Sequence, residues 1–215
     1  MIEKHVIWDW NGTLLDDFTI TARITIDALG DLGRPGVTEA DIREHYQRPL
    51  ARYFDALLGR TALSHELKHL GDSYVTRYDA AMHDQPLAVD AVHALEAIAP
   101  FASQSLLSMA PHPQIATLIE HHRLGEHFRL IQGFAGTGHP SKRDSLVAHC
   151  EALGVATNRC WMIGDTVDDF DAASSLAIRT VLVTTGMQAR AALVATGAPV
   201  VDTLADASRL ILETR

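Results

Sequence analysis

Basic residues, cysteines and long apolar runs are all scarce in this chain, and each shortage excludes a class of function. Lys and Arg total 18 against 27 Asp and Glu, a formal net charge of −9. A nucleic-acid surface needs clustered Lys and Arg, and anionic membranes attract only cationic faces, so neither partner is expected. Any anionic substrate must be held locally. The two cysteines, Cys150 in a helical pattern and Cys160 just before an apolar strand, make neither a disulfide scaffold nor a zinc-ligand spacing and read as small apolar fillers. No window approaches the roughly 18 consecutive apolar residues of a membrane span. The start, MIEKHVIWDWNG, lacks a basic region followed by a long apolar stretch and a small-residue cleavage site, so a cytoplasmic location is expected. No internal repeat or low-complexity segment is present.

What remains is a 215-residue globular composition, 47% hydrophobic, enough to bury a sizeable core. Strand-type runs occur at Val6 to Trp8, Ser105 to Leu107, Leu130 to Phe134, Trp161 to Ile163 and Thr180 to Val183, with Val200 and Val201 as a short last one. Helical patterns separate most of them. This alternation predicts an α/β protein with a doubly wound, parallel, Rossmann-like sheet. The exception is the first gap, which reads as helices only. One runs from about Asp17 to Leu32 and stops at Gly33-Arg34-Pro35-Gly36; Thr38 can cap a second. A third begins near Pro49 and ends at Gly59, and a fourth follows Ser64 with Leu67, Leu70, Tyr74, Val75 and Tyr78 as its apolar residues. The expected organisation is therefore a core of residues 1–17 and 89–215 interrupted by a helical insert over 18–88.

Two of the strand-type runs end on carboxylates. HVIWDWNGTLLDD drives into Asp9 and then Asn11, Gly12 and Thr13, while CWMIGDTVDDFDAA leads into Asp165, with Asp169 four residues later. Ligands of open α/β sheets bind outside the carboxyl ends of the strands, where two such carboxylates can share one cation. A second reading of the first segment makes Asn11-Gly12 a hairpin turn between VIWDW and TLLDD, with Asp9 facing solvent. Asp168, Asp169 and Asp171 equally suit the first turn of a following helix.

Ser141, with Asp144 three residues on, reads as an N-cap and places Lys142 in a first helical turn, where the dipole disfavours a cation. A bound anion would offset that cost; a solvated side chain is the plain alternative. Ser108 alone is a strand-end hydroxyl. Arg48 and Arg52 flank Pro49-Leu50 and suit either an anionic ligand or surface pairing. His65 and His69 have a metal-compatible spacing but no third ligand nearby in sequence.

In order along the chain, Asp9-Asn11-Thr13, Ser108, Lys142 and the pair Asp165 and Asp169 resemble the four motifs of the haloacid dehalogenase superfamily, in its phosphoglycolate-phosphatase-like form with a helical cap. The resemblance covers nearly the whole chain; each motif is weak alone and the ordered set is specific. It implies a Mg²⁺-dependent hydrolase acting on a small phosphorylated metabolite. Asp9 would be the nucleophile, and Asp9, Asp165 and the carbonyl of Asn11 would hold the cation, with Asp169 supporting the metal or the Lys. Lys142, Ser108, Met109 and Thr13 would contact phosphate, and Arg48 would reach the substrate from the insert. The insert would be a cap, with an exit hinge at Asp16-Asp17 and a return hinge at Gln85-Pro86-Leu87.

Two positions depart from the family pattern. Asn11 stands where an Asp usually serves as general acid and base, and Met109 follows Ser108 where many relatives carry Asn. An amide cannot deliver or accept the proton, and that help is typically worth about 10²–10⁴ in rate. Three readings follow: a slow phosphatase of ordinary esters, a phosphatase for good leaving groups, or a phosphate-ligand-binding protein without turnover. Halide displacement is disfavoured, because it would leave the acidic pair without a purpose.

Overall fold

The apolar runs pair side by side. In the computed structural model, which describes residues 4–135 and 141–214, the strands are β1 (Lys4–Trp8), β2 (Ala102–Pro111), β3 (Ile131–Phe134), β4 (Cys160–Gly164), β5 (Arg179–Val183) and β6 (Val200–Val201). They form one parallel sheet in the order β3-β2-β1-β4-β5-β6. The pleat sorts side chains by parity. Val6 and Trp8 face a cluster with α5 (Ala91–Ile98), α6 (His112–His121) and α10 (Leu204–Glu213). Ile7 and Met162 face the other way, onto α7 (Lys142–Leu153) and α8 (Val167–Ser174). Both faces of β1 are thus covered, as a central parallel strand requires. The short α9 (Arg190–Ala195) links β5 to β6.

The hairpin alternative fails. β1 pairs in parallel with β2 and β4, and the chain after Asp9 turns tightly at Gly12, whose φ of +69° suits glycine. The chain then enters α1 (Phe18–Asp31), α2 (Glu39–His45), α3 (Leu50–Leu58) and α4 (Ser64–Ala81). Thr38 caps α2 with a reciprocal capping box to Asp41, and Gly59 ends α3 in the left-handed conformation. These helices bury their own apolar cluster, including Phe18, Leu29, Ile42, Tyr53, Leu57 and Leu70. Val75 departs from the expected apolar stripe and is exposed; Leu70 and Tyr78 fill the buried face of α4, and Val75 falls beside it. The chain leaves and re-enters the core at one place: Asp16 N–H donates to Pro86 O, Ala88 N–H to Leu14 O, and Leu15 bridges Leu87.

Both cysteines are free and buried. Among the described residues no helix is long and apolar enough to cross a membrane.

Candidate active site

Because Trp8 lies opposite Ile163 in the β1–β4 pairing, the residues that follow both strands emerge at one edge. The backbone N–H of Asp9 donates to Ile163 O at 2.9 Å, and Asp165 follows Gly164 directly. Asp169 comes from the first turn of α8. Asp9, Asp165 and Asp169 are 8%, 1% and 0% exposed, with one carboxylate oxygen of each within 4.8 Å of the others. Lys142 enters from α7. Its helix is capped by Ser141, which accepts from Asp144 N–H. Lys142 Nζ lies 3.0 Å from Asp9 Oδ1 and also contacts Asp169 Oδ1. Those two carboxylates offset the dipole that opposes a cation in a first turn.

Burial sets the electrostatics. Desolvation pushes Asp9 up to about 6, with Lys142 pulling it down and Asp169 pushing it further up. Asp165 is raised well above the usual carboxylate range by burial and then by the charges of Asp169 and Asp9. Burial alone would lower the Lys142 ammonium, but Asp169 and Asp9 outweigh it and hold the side chain charged. Three buried carboxylates face one ammonium, which leaves an excess of two negative charges when all are ionised. That excess, offered by hard oxygen donors, fits a small divalent cation such as Mg²⁺.

The donors are not equivalent. Asp169 Oδ2 accepts from the Thr166 N–H at 3.0 Å and the Thr166 hydroxyl at 2.6 Å, completing a capping box, while Oδ1 meets Lys142. Asp169 is therefore the better anchor for the Lys, and Asp9 and Asp165 are the freer carboxylates. Asp165 is held from the loop after β5, where Met187 N–H donates to its Oδ2 at 2.6 Å. That approach demands glycine: a Cβ on Gly186 would sit 1.8 Å from Asp165 Oδ2, and one on Gly12 2.6 Å from it. Thr185 ties the two loops together by donating its hydroxyl to Gly12 O at 2.7 Å.

The remaining candidates scatter around this centre. The Thr13 hydroxyl is buried and donates to Asp165 Oδ1 at 3.4 Å, which makes it a brace for that carboxylate. Ser108 is buried near the end of β2 and accepts from Ala110 N–H at 3.1 Å; Met109 is half-buried beside it. Arg48 reaches from the turn between α2 and α3 to within 3.7 Å of Asp168, and both line a cleft of about 130 Å³ with Tyr46, Gln47, Val167, Asp171 and Gln188. Asn11 does not stand alone. Its Nδ2 lies 2.7 Å from both Asp17 Oδ2 and the Tyr78 hydroxyl. His69 lies 3.6 Å from Asp31 and, with His65, joins no metal-like cluster among the described residues.

Sequence reasoning missed Asp17 and Tyr78 as site neighbours, because one reads as a hinge residue and the other as part of an apolar stripe. It also missed Arg43 of α2, whose Nη1 donates to Gly186 O and, at 3.4 Å, to Thr184 O, with its guanidinium 3.5 Å above the Phe18 ring. No spacing rule links Arg43 to a loop so distant in sequence.

A HAD-hydrolase-like family model matches residues 138–207, the segment carrying Lys142, Asp165 and Asp169. Over that segment the chain is similar to the HAD-hydrolase-like family. It is 25% identical over 189 residues to a phosphoglycolate phosphatase from Vibrio parahaemolyticus, covering 80% of this chain and 79% of that protein. Among solved structures, a predicted phosphatase from Clostridium acetobutylicum superposes with a TM-score of 0.82 at 20% identity over the full length of both chains. A haloacid dehalogenase-like family hydrolase from Streptococcus pneumoniae gives 0.82 at 18% identity over 98% of this chain and 99% of that one. The structural likeness establishes a shared fold over the whole chain.

Proposed function

We propose that this protein is a phosphoric monoester hydrolase for a small phosphorylated metabolite, working through an aspartyl-phosphate on Asp9. The observation that carries the reading is the convergence of Asp9, Asp165, Asp169 and Lys142 at one strand edge, a combination that a merely structural cluster of buried carboxylates would not need. The named phosphatase relative supports the same class.

In this reading an Asp9 carboxylate oxygen attacks phosphorus in line, the ester P–O bond breaks, and the leaving oxygen departs with the electron pair. Lys142, already beside Asp9, sets its charge against the phosphoryl oxygens, and the Ser108 hydroxyl is free to donate to one of them. Water then attacks phosphorus, releasing inorganic phosphate and regenerating Asp9. Mg²⁺, held by Asp9, Asp165 and the Asn11 carbonyl, would supply charge neutralisation at the phosphoryl group. Residues 18–88 act as a cap that shields the site from bulk water, and Arg48 and its cleft receive the part of the substrate beyond the phosphate. The core comprises residues 1–17 and 89–215, and the expected setting is the cytoplasm.

Asn11 supplies no proton, so the rate on alkyl esters is low. That same residue favours one second reading, a phosphate-ligand-binding protein, because its amide is already engaged by Asp17 and Tyr78. A phosphate-release screen over small phosphomonoesters and acyl phosphates with Mg²⁺, run beside Asp9→Asn, separates the two. Release that depends on Asp9 supports the hydrolase, release that survives Asp9→Asn removes it, and retained phosphate binding with no release favours the binder.

A further inference from the structure

Asp17 is nearly fully buried, yet every hydrogen bond it makes is one it accepts. Gly12 N–H donates to Oδ1 at 2.8 Å; Asn11 Nδ2 and the Tyr78 hydroxyl each donate to Oδ2 at 2.7 Å. Burial pushes the Asp17 carboxyl up, while the hydrogen bonds from Tyr78, Asn11 and Gly12 pull it back toward the ionised form; that form can only accept, and the Asn11 amide turns its NH₂ toward it. The other amide hydrogen goes to the Tyr78 oxygen, also 2.7 Å away. Both hydrogens of Asn11 are then spent on this cluster. Its Oδ1 is the side-chain atom left to act, and Asn11 is only half-buried. Tyr78 comes from α4 and is fixed by burial and by stacking on Tyr74, with ring centroids 5.2 Å apart and planes 13° from parallel.

We propose that Asp17 and Tyr78 are positioning residues that hold Asn11 as a hydrogen-bond acceptor, so that Asn11 orients a hydroxyl or a water at the site. Because Tyr78 belongs to α4 while Asp17 and Asn11 belong to the nucleophile loop, this orientation exists only when the helical insert is seated on the core. The proposal rests on the hydrolase reading for its kinetic consequence, but its geometric content does not. An amide acceptor binds the proton side of water without removing the proton. It contributes direction, which alone can change rates by about a hundredfold when lost.

The test combines a mutant cycle with a spectrum. Tyr78→Phe should lower kcat about ten- to a hundredfold with little change in KM, and it should add nothing further in an Asn11→Ala background. Tyr53→Phe, which removes a buried hydroxyl of the same helical bundle that is not a partner of the Asn11 amide, should leave kcat unchanged. In proton–nitrogen correlation spectra of the whole protein, the Asn11 side-chain amide, identified by its loss in Asn11→Ala, should exchange slowly with solvent and shift in both Tyr78→Phe and Asp17→Asn. Additive kinetic effects of Tyr78→Phe and Asn11→Ala, with an active wild type, would overturn the positioning role and leave the hydrolase standing. An Asn11 amide that exchanges as fast as a solvated one would overturn the cluster itself, whether or not turnover is found.

Discussion

Lys142 Nζ sits 3.0 Å from Asp9 Oδ1 and simultaneously against Asp169, so one buried ammonium joins the residue after β1 to the first turn of α8. The cation is not placed for helix stability. It is placed where two strand-end loops bring carboxylates together, and its removal exposes what it neutralises.

Replacing Lys142 by Met should therefore destabilise the Mg²⁺-free protein by about 3–5 kcal/mol, the usual consequence of leaving buried charge uncompensated. Added Mg²⁺ should recover part of that loss, because it supplies positive charge to the same carboxylates. Urea unfolding of both proteins with and without Mg²⁺ checks this. Equal midpoints for wild type and variant without the metal would mean that Asp9 and Asp169 do not depend on Lys142.

Mg²⁺ itself should stabilise the wild-type fold, by about 2.7 kcal/mol when present at a hundred times its Kd. Asp165→Asn should abolish most of the effect. The sign of the pH dependence follows from Asp9, which is pushed up to about 6 by burial first. A protonated carboxyl is a poor ligand, so affinity should strengthen as pH rises through 6. Calorimetric titrations on either side of that value decide it; affinity independent of pH, or unchanged in Asp165→Asn, would argue against these ligands.

Much of the frame was legible in the sequence, since parallel strands announce themselves as short apolar runs and Ser141, Thr38 and Gly59 are local signals for helix ends. The strand ends at Asp9 and Asp165 were legible for the same reason. What escaped were contacts made between distant segments. Nothing local to Thr13 tells whether its hydroxyl faces a ligand or braces Asp165, and nothing local to Asp17 reveals that a tyrosine far along the chain will share its proton. Val75 shows the limit of periodicity: an apolar residue next to a stripe is not thereby on it.

Asn11 gives a prediction that the sequence alone frames incompletely. By sequence, Asn11→Asp should restore an acid and raise turnover of alkyl phosphates more than that of acyl phosphates or aryl esters. The structure places Asp17 Oδ2 2.7 Å from the Asn11 amide nitrogen, so the single substitution sets two carboxylates together and removes a donor that Asp17 uses. The single variant should lose about 1–3 kcal/mol of stability and gain little activity. Asn11→Asp combined with Asp17→Asn reverses the donor and acceptor and should recover more of the roughly 10²–10⁴ that acid–base help provides. Rates over a leaving-group series for wild type, both single variants and the double variant test it. A single Asn11→Asp that equals the double variant on alkyl esters would show that Asp17 is no obstacle.

The last prediction lies inside the sheet. Ser103, His5, Ser105, His149 and Gln132 form a hydrogen-bonded chain, buried at its three middle members, with successive separations of 2.7, 2.8, 2.8 and 2.9 Å. Gln132 Oε1 can only accept, so His149 carries its proton on Nδ1 and accepts from Ser105 on Nε2. Ser105 in turn accepts from His5 Nε2–H, and His5 Nδ1 accepts from Ser103. Every ring nitrogen is satisfied with both imidazoles neutral, and an added proton would displace the hydrogen bond that Ser103 or Ser105 donates. Burial lowers both histidines to about 4, with Arg129 adding to the effect at His5 and His5 at His149. Their ordinary value is 6.5. Above that value neither state binds these protons and the stability of the network is complete. As pH falls from 6.5 toward 4 the unfolded chain takes up protons that the folded chain refuses, so stability falls, by roughly 3 kcal/mol for each histidine at the lower end. His149→Gln removes one titrating group while keeping polar atoms, so its unfolding free energy should depend less steeply on pH across this window than that of the wild type. Denaturant titrations at several pH values give both slopes, and parallel slopes would show that the buried chain does not govern acid stability.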